Sequence, residues 1–320
     1  MMLVRGFKRI KGVILQDDFW HGDRELGAFI DKENLSGYYN DLSEKTKNFN
    51  GKKWEGIVPL VIINKKYVLH PVTACQVGLG YYEMYLKFGK DVDLLNAKKC
   101  ADWLVDNYTI HSDLAVSWKV PYEFRLFQIK KDFVSSLIQG QAISLLTRVS
   151  NHFDSSKYLD IAIKSYNLIL LDKEIGGCKI KCKYAFEEYP TQRESLVLNG
   201  LISTLWGIYD LAIVTKKDDI LNTYNQGVKH LKKTLHLYDT GFWSRYCILP
   251  NSLFYVNWAS PYYHREHIAQ LQAMYLLTND KVFQEYAIKW QKYYDRKSIR
   301  AVVISLKGLT VLIQKILRKR

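Results

Sequence analysis

From residue 70 onward, two kinds of apolar pattern alternate. VTACQVGLGYYEMYLKF (72–88) is mostly apolar on every side, whereas DLLNAKKCADWLVDN (93–107) keeps its apolar residues at three- and four-residue steps. The same pair returns as SSLIQGQAISLLTRVSN (135–151) with KYLDIAIKSYNLILLDK (157–173), and as SLVLNGLISTLWGIYDLAIV (195–214) with DDILNTYNQGVKHLKKTLHL (218–237). It returns a fourth time as REHIAQLQAMYLLTN (265–279) with DKVFQEYAIKWQKYYD (280–295). A helix apolar all round is buried, and an amphipathic one lies outside it. A pair recurring every 60–70 residues or so cannot bury itself alone, so neighbouring pairs must stack or close into a ring. The pattern predicts an all-α fold, an α/α toroid, complete or partial, with inner helices around a cleft.

The segments entering the inner helices are VLHP (68–71), VPYEFRLFQIKKDF (120–133), FEEYPTQRE (186–194) and a long stretch from Asp239 to His267. In a toroid all four gather at one end, where a rigid scaffold holds chemistry-bearing loops. Upstream the pattern weakens. Residues 1–20 read as a basic amphipathic arm, and residues 21–60, with Gly37, Gly51 and Gly56, as loops with a short hairpin. The expected division is an irregular or β extension over 1–55, a toroid over 56–297 and a basic amphipathic helix over 298–320. In that tail Val302, Ile304, Leu306, Leu309, Leu312, Ile313, Ile316 and Leu317 mostly recur at helical steps beside Arg300, Lys307, Lys315, Arg318, Lys319 and Arg320. Such a helix suits either the surface of an anionic membrane or packing on the toroid.

Composition narrows the partners. A formal charge of +14 points to nucleic acid, anionic lipid or an acidic polysaccharide. No nucleic-acid-binding motif is present, which sets nucleic acid aside. The 23 Tyr and 8 Trp can cover the apolar faces of sugar rings, although aromatics also fill ordinary cores. Five cysteines without zinc-ligand spacing read as reduced thiols and suit the cytoplasm, with peripheral membrane contact through the tail as the alternative. No signal peptide and no uncharged apolar run of spanning length are visible.

Motif by motif, most chemistry falls away. Gly78-Leu79-Gly80 has no preceding strand and makes no dinucleotide fingerprint. Asp17-Asp18 is too tightly spaced to flank a glycosidic bond. His264 and His267 have no evident acidic third ligand for a metal. EEYPT is different. Pro190 biases Tyr189 towards extended backbone, and Thr191 with Glu194 three residues on has the form of a capping box for the following helix. Carboxylates and a phenol are thereby fixed on a stiff loop, although solvated glutamates at a helix entrance would look the same.

Six motifs in one order carry a resemblance: HPVTACQVGL, SSLIQGQAIS, EEYPT, LVLNG with GIYDL, LYDTG with Tyr246 eight residues after Tyr238, and YYHREHIAQLQ. Over residues 55–295 the chain resembles the catalytic, C-terminal region of heparosan D-glucuronyl C5-epimerases. The resemblance implies inversion of carbon-5 of glucuronic acid within an acidic uronate-containing polysaccharide, without a cofactor or metal. It implies Glu188 and Tyr263 as opposed acid/base groups, Tyr189 and Tyr246 as further active-site tyrosines, and Asn199 and Asn257 at substrate positions. Arg193, Arg245, His264 and Tyr122 complete the candidate substrate contacts, and a homodimer is expected from the family. The β-rich domains of animal members have about 55 residues to correspond to here, so no metal site from that portion carries over. Departures fall around the substrate: Arg265-Glu266 replace threonines, Leu249 stands for an arginine that Arg245 would replace, Arg193-Glu194 replace a serine-rich turn, and Ser203 stands where animal members have tyrosine. Without the resemblance, Tyr189 and Tyr263 also read as core tyrosines and Asn199 as a packing residue. Two rival functions remain: a lyase in which the same carbon-5 anion expels the carbon-4 oxygen, and a ring that binds acidic glycan without chemistry.

Overall fold

In the computed structural model the described residues are 25–47, 53–63, 66–124, 127–249 and 257–317, with side chains as far as Lys307. The basic arm over 1–20, with Asp17-Asp18, and the side chains of the last part of the tail lie outside them.

Four inner helices follow the predicted stretches: α1 (Pro71–Phe88), α3 (Ser136–Phe153), α5 (Leu198–Thr215) and α7 (Pro261–Thr278), each of 18 residues. Their outer partners are α2 (Asp91–Asp106), α4 (Ser156–Leu170), α6 (Asp218–Thr234) and α8 (Lys281–Asp295). The turn between partners repeats. Each inner helix ends in a left-handed residue, Gly89, Asp154, Lys216 or Asn279, and one further residue precedes the outer helix. A left-handed cap satisfies carbonyls of the last turn and reverses the chain at once. Inner helices pack in the order α1, α3, α5, α7, each also against its outer partner. This is the expected α/α toroid architecture. By length and composition α5 is apolar enough to cross a membrane, but here 83% of it is buried as an inner helix. A last helix, α9 (Lys297–Leu317), packs on α7 and α8.

The segment 25–47 runs from the last inner helix to the first. Glu25 pairs with Arg265 of α7 at 2.5 Å, and Asp41 with Lys87 of α1 at 2.5 Å. Midway, Arg148 of α3 and Asp210 of α5 form a fully buried ion pair at 2.6 Å. Arg148 also donates to the carbonyls of Ser36 and Gly37, and Tyr39 donates to Asp210 at 2.6 Å. A buried ion pair is worth keeping only when its remaining donors and acceptors are satisfied, as these are. The expected hairpin is a three-stranded antiparallel sheet, β1 (Lys53–Glu55), β2 (Val58–Ile63) and β3 (Lys66–Leu69), leading into α1. The loop before α3 contains two small ribbons: β4 (Thr109–Ser112) with β5 (Ala115–Ser117), and β6 (Lys119–Val120) with β7 (Phe133–Val134).

Candidate active site

The two adjacent glutamates of EEYPT are both buried, and they do different things. On extended backbone, neighbours point to opposite sides. Glu187 turns into the loop. Its carboxylate accepts the N–H of Ser195 at 2.8 Å, the N–H of Leu196 at 3.0 Å and the Ser195 hydroxyl at 2.5 Å, with Lys173 Nζ 3.8 Å away. Burial pushes its pKa up and these donors oppose the shift. The expected capping box is corrected here. Glu187 takes the amides at 195 and 196, and Leu196 has a φ of +38°, so α5 starts only at Leu198, capped at Val197. The Thr191 hydroxyl donates to the Arg193 carbonyl instead, and Glu194 pairs with Lys183.

Glu188 turns the other way, against the first turn of α5. A Cβ on Gly200 would stand 2.3 Å from its Oε2, so only glycine leaves room for the carboxylate in this position. Three tyrosines, Tyr122, Tyr189 and Tyr246, feel its charge, and a fourth, Tyr263, stands beside Tyr246; the four come from three of the gathered loops. Tyr189 stacks on Phe124 at 4.7 Å, close to Phe127 at 4.9 Å, and lies within electrostatic reach of Tyr246. Tyr246 lies edge-on to Tyr263 at 4.8 Å. Tyr122 stands edge-on to His70 at 5.4 Å and feels the charge of Glu188. Burial, then Glu188, holds the Tyr189 and Tyr246 phenols well above the usual tyrosine range and pushes Tyr122 up to about 12. These three phenols therefore stay protonated at neutral pH, as proton donors around one carboxylate.

Local structure explains each placement. The ribbon β6–β7 closes the loop that carries Tyr122 and Phe124. His70 caps α1, its Nδ1 accepting the Val72 N–H at 3.3 Å, with Pro71 at the first helical position. Burial drives its imidazole down to about 3, so it is neutral. Tyr246 is held by its backbone, which donates to the Asn257 carbonyl at 2.7 Å and accepts from the Leu198 N–H at 3.1 Å. Ser260 caps α7 by accepting the Tyr263 N–H at 3.2 Å, which fixes Tyr263 in the first turn.

The remaining candidates divide. Asn199 is buried in the first turn of α5, beside Gly200; its carbonyl accepts Gln270 Nε2 at 3.2 Å, and its Oδ1 has no hydrogen-bond partner among the described residues. Asn257 is buried and donates to Cys247 Sγ at 2.5 Å. Arg245 is half-buried next to Tyr246, and Arg193 is exposed on the EEYPT loop. His264 is corrected from substrate contact to core. It is fully buried and stacked on Trp243 at 3.7 Å; its Nε2 meets the Trp290 carbonyl and its Nδ1 meets Ser244. His267 Nδ1 approaches the same hydroxyl at 3.0 Å. Among the described residues no group of three or more His, Cys, Asp and Glu side chains is placed to hold a metal. Sequence reasoning did not assign functional places to His70, Phe124, Phe127, Glu187 and Gly200. The available signals were the His-Pro helix start, the doubled glutamate and the Asn-Gly pair.

The family model described as "D-glucuronyl C5-epimerase C-terminus" matches residues 112–292. D-glucuronyl C5-epimerase of Caenorhabditis elegans is 32% identical over 212 residues, 60% of this chain and 34% of that protein. An uncharacterized protein of Methanocaldococcus jannaschii is 30% identical over 184 residues, 55% of this chain and 58% of that protein. The chain thus spans about a third to three-fifths of the length of these relatives. Among solved structures, cellobiose 2-epimerase from Bacillus thermoamylovorans superposes with a TM-score of 0.54 at 14% identity, covering 80% of this chain and 68% of that one, a likeness of fold alone. With the family model covering more than half of its length, this chain belongs to the D-glucuronyl C5-epimerase C-terminal family.

Proposed function

We propose that the chain is a uronate C5-epimerase, converting D-glucuronic to L-iduronic acid residues within an acidic polysaccharide. The observation that carries this reading is the single buried carboxylate of Glu188 set among protonated phenols, in a chain of this family. The hydrogen on carbon-5 is alpha to a carboxylate, so its removal leaves an enolate-like anion and requires no redox partner. Glu188 takes that proton on one face. Tyr263 gives its hydroxyl proton to carbon-5 on the other face and is left as phenolate. Return of the proton from Glu188 to Tyr263, by solvent or by the reverse reaction, restores the site. Tyr246, beside Tyr263 and within electrostatic reach of Tyr189, stabilises the anionic species with a hydroxyl donor that needs no reorganisation. Asn199 and Asn257 hold the sugar, and Arg245 faces its carboxylate. The charge of +14 favours encounter with a polyanion.

Incubation with heparosan-type and other glucuronate polymers in deuterated water tests the reading. Deuterium should appear at carbon-5 with the chain length of the polymer unchanged. Formation of an unsaturated uronate, with its near-ultraviolet band, would establish a lyase instead. Absence of exchange on every uronate polymer would overturn both.

A further inference from the structure

The last helix carries a lysine that the reaction scheme leaves unused. Arg300 lies over the Tyr294 ring of α8 at 4.9 Å, Val303 is fully buried, and Lys307 one turn further directs its Nζ to the Trp258 carbonyl at 2.6 Å. Steps of three and four residues put all three on one face, turned to the body of the protein. Lys307 is half-buried; loss of solvent around its amine lowers it to about 8, and no carboxylate lies within ion-pair distance among the described residues. A partly desolvated amine without a carboxylate is a costly way to hold a helix, and an apolar residue would do so more cheaply. What lysine adds is a donor at one particular carbonyl.

That carbonyl lies between the two halves of the tyrosine wall. Trp258 bridges Arg245 across the short antiparallel pairing of 244–246 with 257–259. On one side of it, the Asn257 carbonyl accepts the Tyr246 N–H at 2.7 Å. On the other, Ala259 donates to the Ser244 carbonyl at 2.9 Å, and Ser260 then caps the helix turn that carries Tyr263. Asn257 in turn contacts Cys247 through its side chain. We infer that Lys307 is a positioning residue: its grip on the Trp258 carbonyl sets Tyr246 and Tyr263 against each other and makes α9 part of the catalytic unit. The inference rests on the proposed roles of these tyrosines in carbon-5 chemistry.

The full-length chain with Lys307→Met, which keeps the length of the side chain and removes the donor, is compared with Lys307→Arg, which keeps a donor. Lys307→Met should lower kcat for carbon-5 exchange roughly ten- to a hundredfold, the scale of a small misplacement of reacting groups. KM should stay within about twofold, since the substrate contacts themselves remain, and Lys307→Arg should recover most of the rate. Amide hydrogen exchange at Tyr246 and Ala259 should quicken in Lys307→Met, return towards normal in Lys307→Arg, and stay unchanged in α1 and α3. A normal kcat in Lys307→Met overturns the inference, as does a loss that arginine does not recover, or amide protection lost throughout the molecule. If the unaltered protein exchanges no carbon-5 hydrogen, the functional reading fails by itself. The amide comparison then decides whether Lys307 grips the segment.

Discussion

At the scale of residues, the position of Glu188 depends on what Gly200 lacks. With 2.3 Å between a notional Gly200 Cβ and Glu188 Oε2, Gly200→Ala must displace the carboxylate, and turnover should fall about tenfold or more. Glu188→Gln keeps the shape and removes the base, and Tyr263→Phe removes a single hydroxyl. Each should cost at least about a hundredfold in carbon-5 exchange with little change in thermal midpoint. Near-normal rates in both would remove these residues from the chemistry. The doubled glutamate was visible in the sequence and the resemblance singled out Glu188, but the place of Glu187 in holding the loop was not legible. Which carboxylate serves the loop depends on amides at 195 and 196, and those are placed only once the loop has closed. His264 misled for a related reason. Its position beside Tyr263 suggested substrate, whereas its environment is set by Trp243, twenty-one positions earlier, and by Trp290 and Tyr294 on another helix.

Among elements, α3 and α5 come into close backbone contact. A Cβ on Gly140 would lie 2.5 Å from Thr204 Cα, and one on Gly207 would lie 2.3 Å from the Gly140 carbonyl oxygen. The two inner helices therefore touch backbone to backbone, which fixes how far the EEYPT loop and the loop carrying Tyr122 stand apart. Gly140→Ala should destabilise the protein by about 1–3 kcal/mol through overpacking, measured by urea unfolding, despite alanine's better helix propensity. An unchanged or raised midpoint would show that the contact can relax. The helices themselves were legible, because inner and outer members differ in apolar pattern and the pattern repeats four times. The ribbons β4–β5 and β6–β7 were not legible: strands of two to four residues carry too little alternation to be told from loop. The tail was legible as amphipathic but not as to what its face meets, since packing on a ring and lying on a membrane call for the same spacing. Val303 and Lys307 commit its first half to the ring.

For the molecule as a whole, closure depends on the segment 25–47, which the sequence marked only as polar loop. It ties α7 to α1 through Glu25–Arg265 and Asp41–Lys87, and it seals Glu83 of α1 beneath Gly37. Glu83 is fully buried. Burial, reinforced by Asp41 and opposed by Lys87, the Ala28 N–H and Arg148, raises its carboxyl from 4.5 to about 7. The folded protein thus holds this proton more tightly than the unfolded chain. The resulting stability is complete below about pH 4.5 and is lost as pH rises through 7. Glu83→Gln supplies a neutral side chain of the same shape at every pH. It should therefore be close to neutral in stability at pH 5 and should stabilise the protein by about 2–3 kcal/mol at pH 8, following the energy of a pKa shift of this size. Thermal midpoints of both proteins at the two pH values make the comparison, since the difference between them should grow with pH. A constant difference would mean that Glu83 is ionised in the closed molecule.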